Sequence, residues 1–336
     1  MTAGPPWFAR GAGRSIGRSI GRLAGRLDRA LIAAIGCIVL LLIGGALYDR
    51  NFLSADYLLQ QLQVASFLGV IATGVMLVIL LGHIDLSIPW VVTIGGMMST
   101  AAAGHDGWTG AFAIPYAVAL GMGIGVVNGI GVAYLRVPSM IFTLATNAIA
   151  QGLMVVHTSG FAPQDRASPT MHAIAVERSI LGIPNAVWVW AAIGAATVVL
   201  LRRTAFGRRV YAIGNSERAV FLSRGHVRRV VVACFALAGA CSAFAGVLLA
   251  GYSTKAYQAM GDPYLLPAIA AVVLGGTSIL GGRGTYLGTV AGVVLVTLLQ
   301  SILSIVQMPE AGRQVIYGAV IIVMLLVYGR GQKVGS

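Results

Sequence analysis

"YLLQQLQVASFLGVIATGVMLVILL" (Tyr57–Leu81) runs from end to end without a charged side chain. An α-helix rises about 1.5 Å per residue, so about 20 apolar residues cross a hydrocarbon core of roughly 30 Å. Comparable runs recur along the whole sequence. They are too long, and too evenly apolar, for the alternating strands of a membrane barrel, which need only about ten residues each. The composition agrees: 57% of the 336 residues are hydrophobic and 10% are charged. A soluble domain carries about a quarter charged residues. The fold class read from the sequence is therefore all-α, a polytopic transmembrane helix bundle.

Working outward from Tyr57–Leu81, ten candidate spans emerge: 30–48, 57–81, 86–104, 110–135, 139–158, 186–201, 229–251, 265–281, 285–306 and 313–329. They define a basic N-terminal tail over 1–29, a transmembrane domain over 30–330 and a short tail over 331–336. With the N-terminus in the cytoplasm, 18 of the 23 basic residues fall inside, among them Arg136, Arg202, Arg203, Arg208, Arg209, Arg218, Arg228, Arg229 and Arg283. Arg50, Arg166, Arg178, Lys255 and Arg313 fall outside, together with most of the acids. Basic residues collect in cytoplasmic loops, so this orientation is preferred, with both termini cytoplasmic. It places the loop 202–228 inside and the long loop 159–185 outside.

The net charge of +13 then has a topological cause and does not call for nucleic acid. The tail arginines Arg10, Arg14, Arg18, Arg22 and Arg26 recur every four residues in a Gly-rich stretch beside a span. They read as an anchor lying against anionic lipid. The apolar run after them is longer than a cleaved signal requires. Cys37, Cys234 and Cys241 lie inside apolar runs and read as small core residues. No Cys or His spacing suggests a metal.

A catalytic constellation is missing from the sequence. H-E-x-x-H, G-x-S-x-G and a Walker sequence are all absent. "LGGTSILGGRGTYLG" (274–288) is glycine-rich but lacks the phosphate-binding lysine. Its glycines read as close helix packing and a tight turn. Polar residues within spans are more informative, because burying them in lipid is costly. In "LLGHIDLSIPW" (80–90), Asp85 and Ser87 lie between Gly82 and Pro89, which both interrupt helices. The segment is either a hinge beside a polar pathway or a short turn capping the next helix. Further path candidates are Asn128, Thr143, Asn147, Gln151 and Thr277. Asn147 and Gln151 share a helix face at i,i+4. Asn128 sits beside Gly121, Gly125 and Gly129, whose small-xxx-small spacing favours close helix contact, so it serves equally as interhelical glue.

Between Arg202 and Arg229 eight arginines face one acid, Glu217. Within this run "SERAVFLS" (216–223) carries a capping serine, then Ala219, Phe221 and Leu222 to form an apolar side. A short amphipathic helix on the cytoplasmic face needs lipid headgroups or a soluble partner to cover it.

Four stretches together carry a resemblance over roughly 57–330: "GHIDLSIPW" (82–90), "VVNGIGVAYLRVPSMIFTLAT" (126–146), "YAIGNSERAVFLS" (211–223) and "AIAAVVLGGTSILGGRGTYLGTVAG" (268–292). The chain resembles the permease subunits of bacterial ATP-binding-cassette importers for monosaccharides, of the ribose/xylose/galactoside type. The resemblance implies a cytoplasmic ATPase docked on a short coupling helix, with Gly214, Glu217, Ala219, Leu222 and Ser223 as docking candidates. It departs from the family at Ser223-Arg224-Gly225 and at Pro89-Trp90. It further implies a periplasmic solute-binding protein touching 159–185 and 255–264, a second permease copy or a paralogue, alternating access, and residence in the bacterial inner membrane. No cofactor is expected on this chain, while ATP and magnesium belong to the partner ATPase. A permease for branched-chain amino acids is the near alternative, and an ion-coupled secondary transporter the more distant one. The latter would rest on Asp85, the one carboxylate near a span's cytoplasmic half.

Overall fold

The computed structural model describes residues 31–47, 50–104, 112–161, 163–222 and 225–329. The tails 1–29 and 331–336 and the docking candidate Ser223 lie outside these residues. The described chain is a bundle of helices. These are α1 Leu31–Leu47, α2 Ala55–Leu80, α3 Ile88–Ala103, α4 Ala113–Ala133, α5 Ser139–His157, α6 Pro169–Val176, α7 Asn185–Arg203, α8 Ala205–Asn215, α9 Glu217–Leu222, α10 Val227–Ser253, α11 Leu265–Leu274, α12 Tyr286–Ile305 and α13 Glu310–Gly329.

Side-chain oxygens begin several of them. Ser54 accepts from Tyr57 N–H at the start of α2, Thr204 from Gly207 N–H at α8, and Thr285 from Gly288 N–H at α12. Each satisfies a backbone donor that the first helical turn leaves unpaired.

Six of the ten predicted spans are helices long and apolar enough to cross a membrane: α2, α4, α5, α7, α10 and α12. The other four are represented by α1, α3, α11 and α13, of which the first three are shorter. The span predicted over 265–281 requires correction. Its helix ends at Leu274, because Gly275 and Gly276 close it and the apolar residues beyond belong to a loop. Ten residues of helix reach only about 15 Å, half of a hydrocarbon core.

α2 and α10 occupy the centre, and α10 packs against α4, α3 and α2. The α4–α10 contact is made by backbone on backbone. A Cβ on Gly125 would overlap the Phe235 carbonyl, and one on Gly239 would overlap the Gly121 carbonyl. The small-residue spacing read from the sequence is this contact. Gly275, Gly288 and Gly292 bring α11 and α12 together in the same way. Cys234 is buried in α10 and Cys241 is packed against the core. Cys37, expected in the core, is instead exposed on α1.

Loops sort to the two ends of the bundle. One end gathers Gly82–Ile84, Arg136–Ser139, Glu217–Arg218 and Ile279–Leu280 around one cleft. At the other, Arg178 pairs with Asp56 at 3.1 Å, Ala167 N–H donates to Thr254 O, and Gln258 donates to Thr158. The loop 159–185 is built around α6, which Ser168 caps. Met171 and Ala175 of α6 are fully buried, and Gln63 donates to the Ala175 carbonyl at 2.7 Å.

Candidate functional site

Two helices stop short at the same end, and they stop alike. After α2, Gly82 N–H donates to Ile79 O and His83 N–H to Val78 O. After α11, Gly276 N–H donates to Val273 O and Thr277 N–H to Val272 O. This pair of bonds needs a left-handed residue past the helix end. Gly82 (φ +81°) and Gly276 (φ +88°) supply it.

The segment after Gly82 is held by a ladder of α5 side chains. Ile84 N–H donates to Ser139 Oγ at 3.3 Å, Leu86 N–H to Thr143 Oγ1 at 2.9 Å and Trp90 N–H to Asn147 Oδ1 at 3.3 Å. The rungs are four residues apart, so they form one stripe along α5. Asp85 is nearly buried, and its Oδ1 accepts from Ser87 N–H at 2.8 Å and from Ser87 Oγ at 2.6 Å. Asn128 of α4 donates to Ser87 Oγ at 2.8 Å, leaving its own Oδ1 without a partner. The geometry matches the turn that the sequence offered as one of two readings. The segment interrupts the helix, and Asp85 closes a turn onto Ser87, the residue that precedes α3.

Five path candidates therefore converge in one polar cluster: Asp85, Ser87, Asn128, Thr143 and Asn147. Thr277 lies elsewhere, fully buried in the second loop against Gly284, with its hydroxyl unpartnered. Gln151, one turn beyond Asn147 on α5, faces outward from the chain. The sequence reading missed Ser139. The S-x-x-x-T-x-x-x-N spacing of Ser139, Thr143 and Asn147 was the signal that would have found it.

The docking candidates fall into two groups. Glu217, Ala219 and Leu222 belong to α9, of which no residue is buried, and Phe221 and Leu222 are 61% and 78% exposed. Ser216 Oγ accepts from Ala219 N–H, as the capping pattern predicted. Gly214 is different. It packs its backbone on Leu80 O and Gly282 N, where a Cβ would overlap both.

Beside α9 opens a cleft of about 1050 Å³, bordered by His83, Arg136, Ser139, Glu217, Arg218 and Arg228. Burial holds the His83 imidazole below the usual histidine range, and Glu217 acts against this. Burial raises the Tyr211 phenol above its ordinary value, with Arg202 opposing. Among the described residues no three His, Cys, Asp or Glu side chains gather as a metal site would require.

The family described as "Branched-chain amino acid transport system / permease component" matches residues 57–325. The chain belongs to this permease family. The permease is 31% identical over 301 residues to the ribose import permease protein of Haemophilus influenzae, covering 89% of this chain and 92% of that one. It is 34% identical over 293 residues to the ribose import permease protein of Bacillus subtilis, covering 87% and 90%. It is also 30% identical over 301 residues to the autoinducer 2 import system permease protein of Escherichia coli, covering 89% and 86%. No solved structure matches it. All four stretches that carried the resemblance lie inside the matched region, and the permease is a multi-pass membrane protein.

Proposed function

We propose that this chain is the membrane permease of an ATP-driven importer in a bacterial inner membrane, moving a monosaccharide or related polyol by alternating access. The observation that carries this reading is α9. A short helix with Phe221 and Leu222 exposed, at the end of the bundle where interrupted helices meet, has an apolar side that none of the described residues covers. A cytoplasmic ATPase would cover it, and would supply the ATP and magnesium.

The sugar assignment draws support from the ribose importers among the relatives and from the chemistry of the interrupted segment. The side chains that bond to it from α4 and α5 are hydroxyls and amides, Ser139, Thr143, Asn147 and Asn128, and its one carboxyl group is engaged by Ser87. A zwitterionic amino acid would call for free charges there. The family's printed description keeps the branched-chain amino acid reading in view, and competition of uptake by ribose against leucine separates the two.

In this reading all ten apolar helices cross or enter the membrane, and two copies face each other across the path. Gln151 supports that arrangement. An exposed amide within an apolar helix is costly against lipid, and the cost falls where a second copy or a wet pathway covers it. A periplasmic solute-binding protein would meet the end carrying α6 and Lys255–Tyr264.

The test is purification in mild detergent, with mass spectrometry of what co-elutes. An ATPase should come down with wild type and be lost with Glu217→Arg/Leu222→Asp, both at exposed positions, with the variant's gel-filtration profile in detergent matching wild type. Folded wild type that retains no ATPase would defeat the reading.

A further inference from the structure

The region between α8 and α9 does more than carry the docking helix. Three segments distant in sequence meet there through their backbones. Gly282 N–H donates to Leu80 O at 2.9 Å, joining the loop after α11 to the end of α2. Gly214 lies on both, so close that any side chain would overlap them. A Cβ on Gly281 would meet Gly82 N at 2.7 Å and Gly214 O at 3.0 Å. Gly281 and Gly282 have φ of +87° and +72°, so the second loop presents its N–H groups inward at no steric cost.

Side chains of α8 close the arrangement. Tyr211 donates its hydroxyl to Gly284 O at 2.9 Å. Asn215 Nδ2 donates to Tyr211 O at 2.8 Å and to Gly282 O at 3.3 Å. Tyr211 and Asn215 lie one helical turn apart, on one face of α8, and both reach the same loop. Two residues beyond Asn215 the docking helix begins.

We propose that Tyr211, Gly214 and Asn215 form a clasp that ties the docking helix to both interrupted-helix loops at once. These three are positioning residues. A displacement of α9 moves Leu80–Gly82 and Gly281–Gly284 together, because both are bonded or packed to one rigid turn of α8. From Gly82 the movement continues to the 84–90 segment, and through the Ser139, Thr143 and Asn147 rungs to α5, which carries Gln151 one turn beyond Asn147. The inference rests on the importer reading for what displaces α9, and on the geometry alone for what α9 is attached to.

Hydrogen exchange of the full chain in detergent, read by mass spectrometry, tests the attachment. Tyr211→Phe and Asn215→Ala each delete donors on α8 and alter neither loop. One lost hydrogen bond is worth about 1 kcal/mol, or about fivefold in a local opening equilibrium. The double variant loses two bonds to the second loop, so the peptide covering 276–285 should exchange about 25-fold faster, and the peptide covering 78–88, joined to that loop by Gly282 N–H to Leu80 O, should also exchange faster, with α4 unchanged. Faster exchange confined to α8, or in one loop without the other, overturns the clasp.

The second measurement tests transmission. In the complex with its ATPase, trapping with ATP and vanadate should change exchange in both loops of wild type. It should change neither in the double variant, although the ATPase still co-purifies. An equal response in both proteins overturns transmission, and so does loss of the ATPase from the double variant. If wild type holds no ATPase, the importer reading fails, while exchange of the permease alone still decides whether the clasp exists.

Discussion

Asp85 is a buried carboxyl group held by a residue two positions along the chain. Its Oδ1 is committed to two donors of Ser87. An amide oxygen accepts the same two bonds, so Asp85→Asn should retain sugar uptake within about threefold of wild type, the scale of part of one net hydrogen bond. An ion-coupled carrier would lose uptake entirely with that substitution. Asp85→Ala should behave worse, because it strands two buried donors at about 1–3 kcal/mol each. Thr143→Val makes the complementary test. It leaves Leu86 N–H without its acceptor and should cost about 1–3 kcal/mol, read as a lower midpoint of thermal unfolding in detergent. At this scale the sequence was partly legible. Thr143, Asn147 and Asn128 were visible because polar residues in apolar runs need partners. Their partners were not visible, because Ile84, Leu86 and Trp90 answer with backbone N–H groups, which every residue has. Tyr211 and Asn215 were hidden for the same reason, since the groups they reach are carbonyls of a glycine loop.

At the scale of elements, glycine spacing was the most faithful signal and apolar composition the least. The Gly121, Gly125, Gly129 repeat announced a close helix contact, and α4 against α10 is that contact. Gly125→Val should therefore push α4 off Phe235 and cost about 3 kcal/mol or more, since a packed backbone contact cannot yield without shifting the helix. The expected result is loss of the monodisperse peak on gel filtration. Gly123 lies on the same helix with open space where a Cβ would go. Gly123→Ala should be tolerated and add up to about 1 kcal/mol through helix propensity. Equal damage from both substitutions would show that α4 does not use this face. The run 265–281 was misjudged because hydropathy does not record where a helix stops. Val272 through Leu280 is apolar enough to continue, but Gly275 and Gly276 end the helix and Thr277–Gly284 turns back on itself. "LLGHIDLS" (80–87) and "VLGGTSIL" (273–280) look alike because both contain this helix ending, offset by one residue. The structural match aligns Gly82 with Gly276, not with Gly275.

For the whole molecule, sidedness follows from joining the charge pattern to the fold. Arg136, Arg208, Arg209, Arg218 and Arg283 in loops and short helices, and Arg228 in the first turn of α10, are gathered by the fold at the α9 end. The opposite end carries Arg166, Arg178, Lys255 and Arg313 among Asp56, Asp165, Glu177, Asp262 and Glu310. The first end is nearly pure positive charge and the second is balanced, so the expectation from the positive-inside rule is that the α9 end faces the cytoplasm. Neither the charge pattern nor the helix order alone would fix this, because counting crossings depends on whether the short helices α3 and α11 pass through the membrane or turn within it. Two exposed leucines report the answer directly: Leu181 in the loop between α6 and α7 is 85% exposed and Leu222 on α9 is 78% exposed. With Cys37, Cys234 and Cys241 replaced by alanine, a membrane-impermeant maleimide applied to intact cells should label Leu181→Cys and leave Leu222→Cys unlabelled. Permeabilised cells should label both. Labelling of Leu222→Cys from outside would invert the orientation, and with it the assignment of α9 as the surface that meets an ATPase.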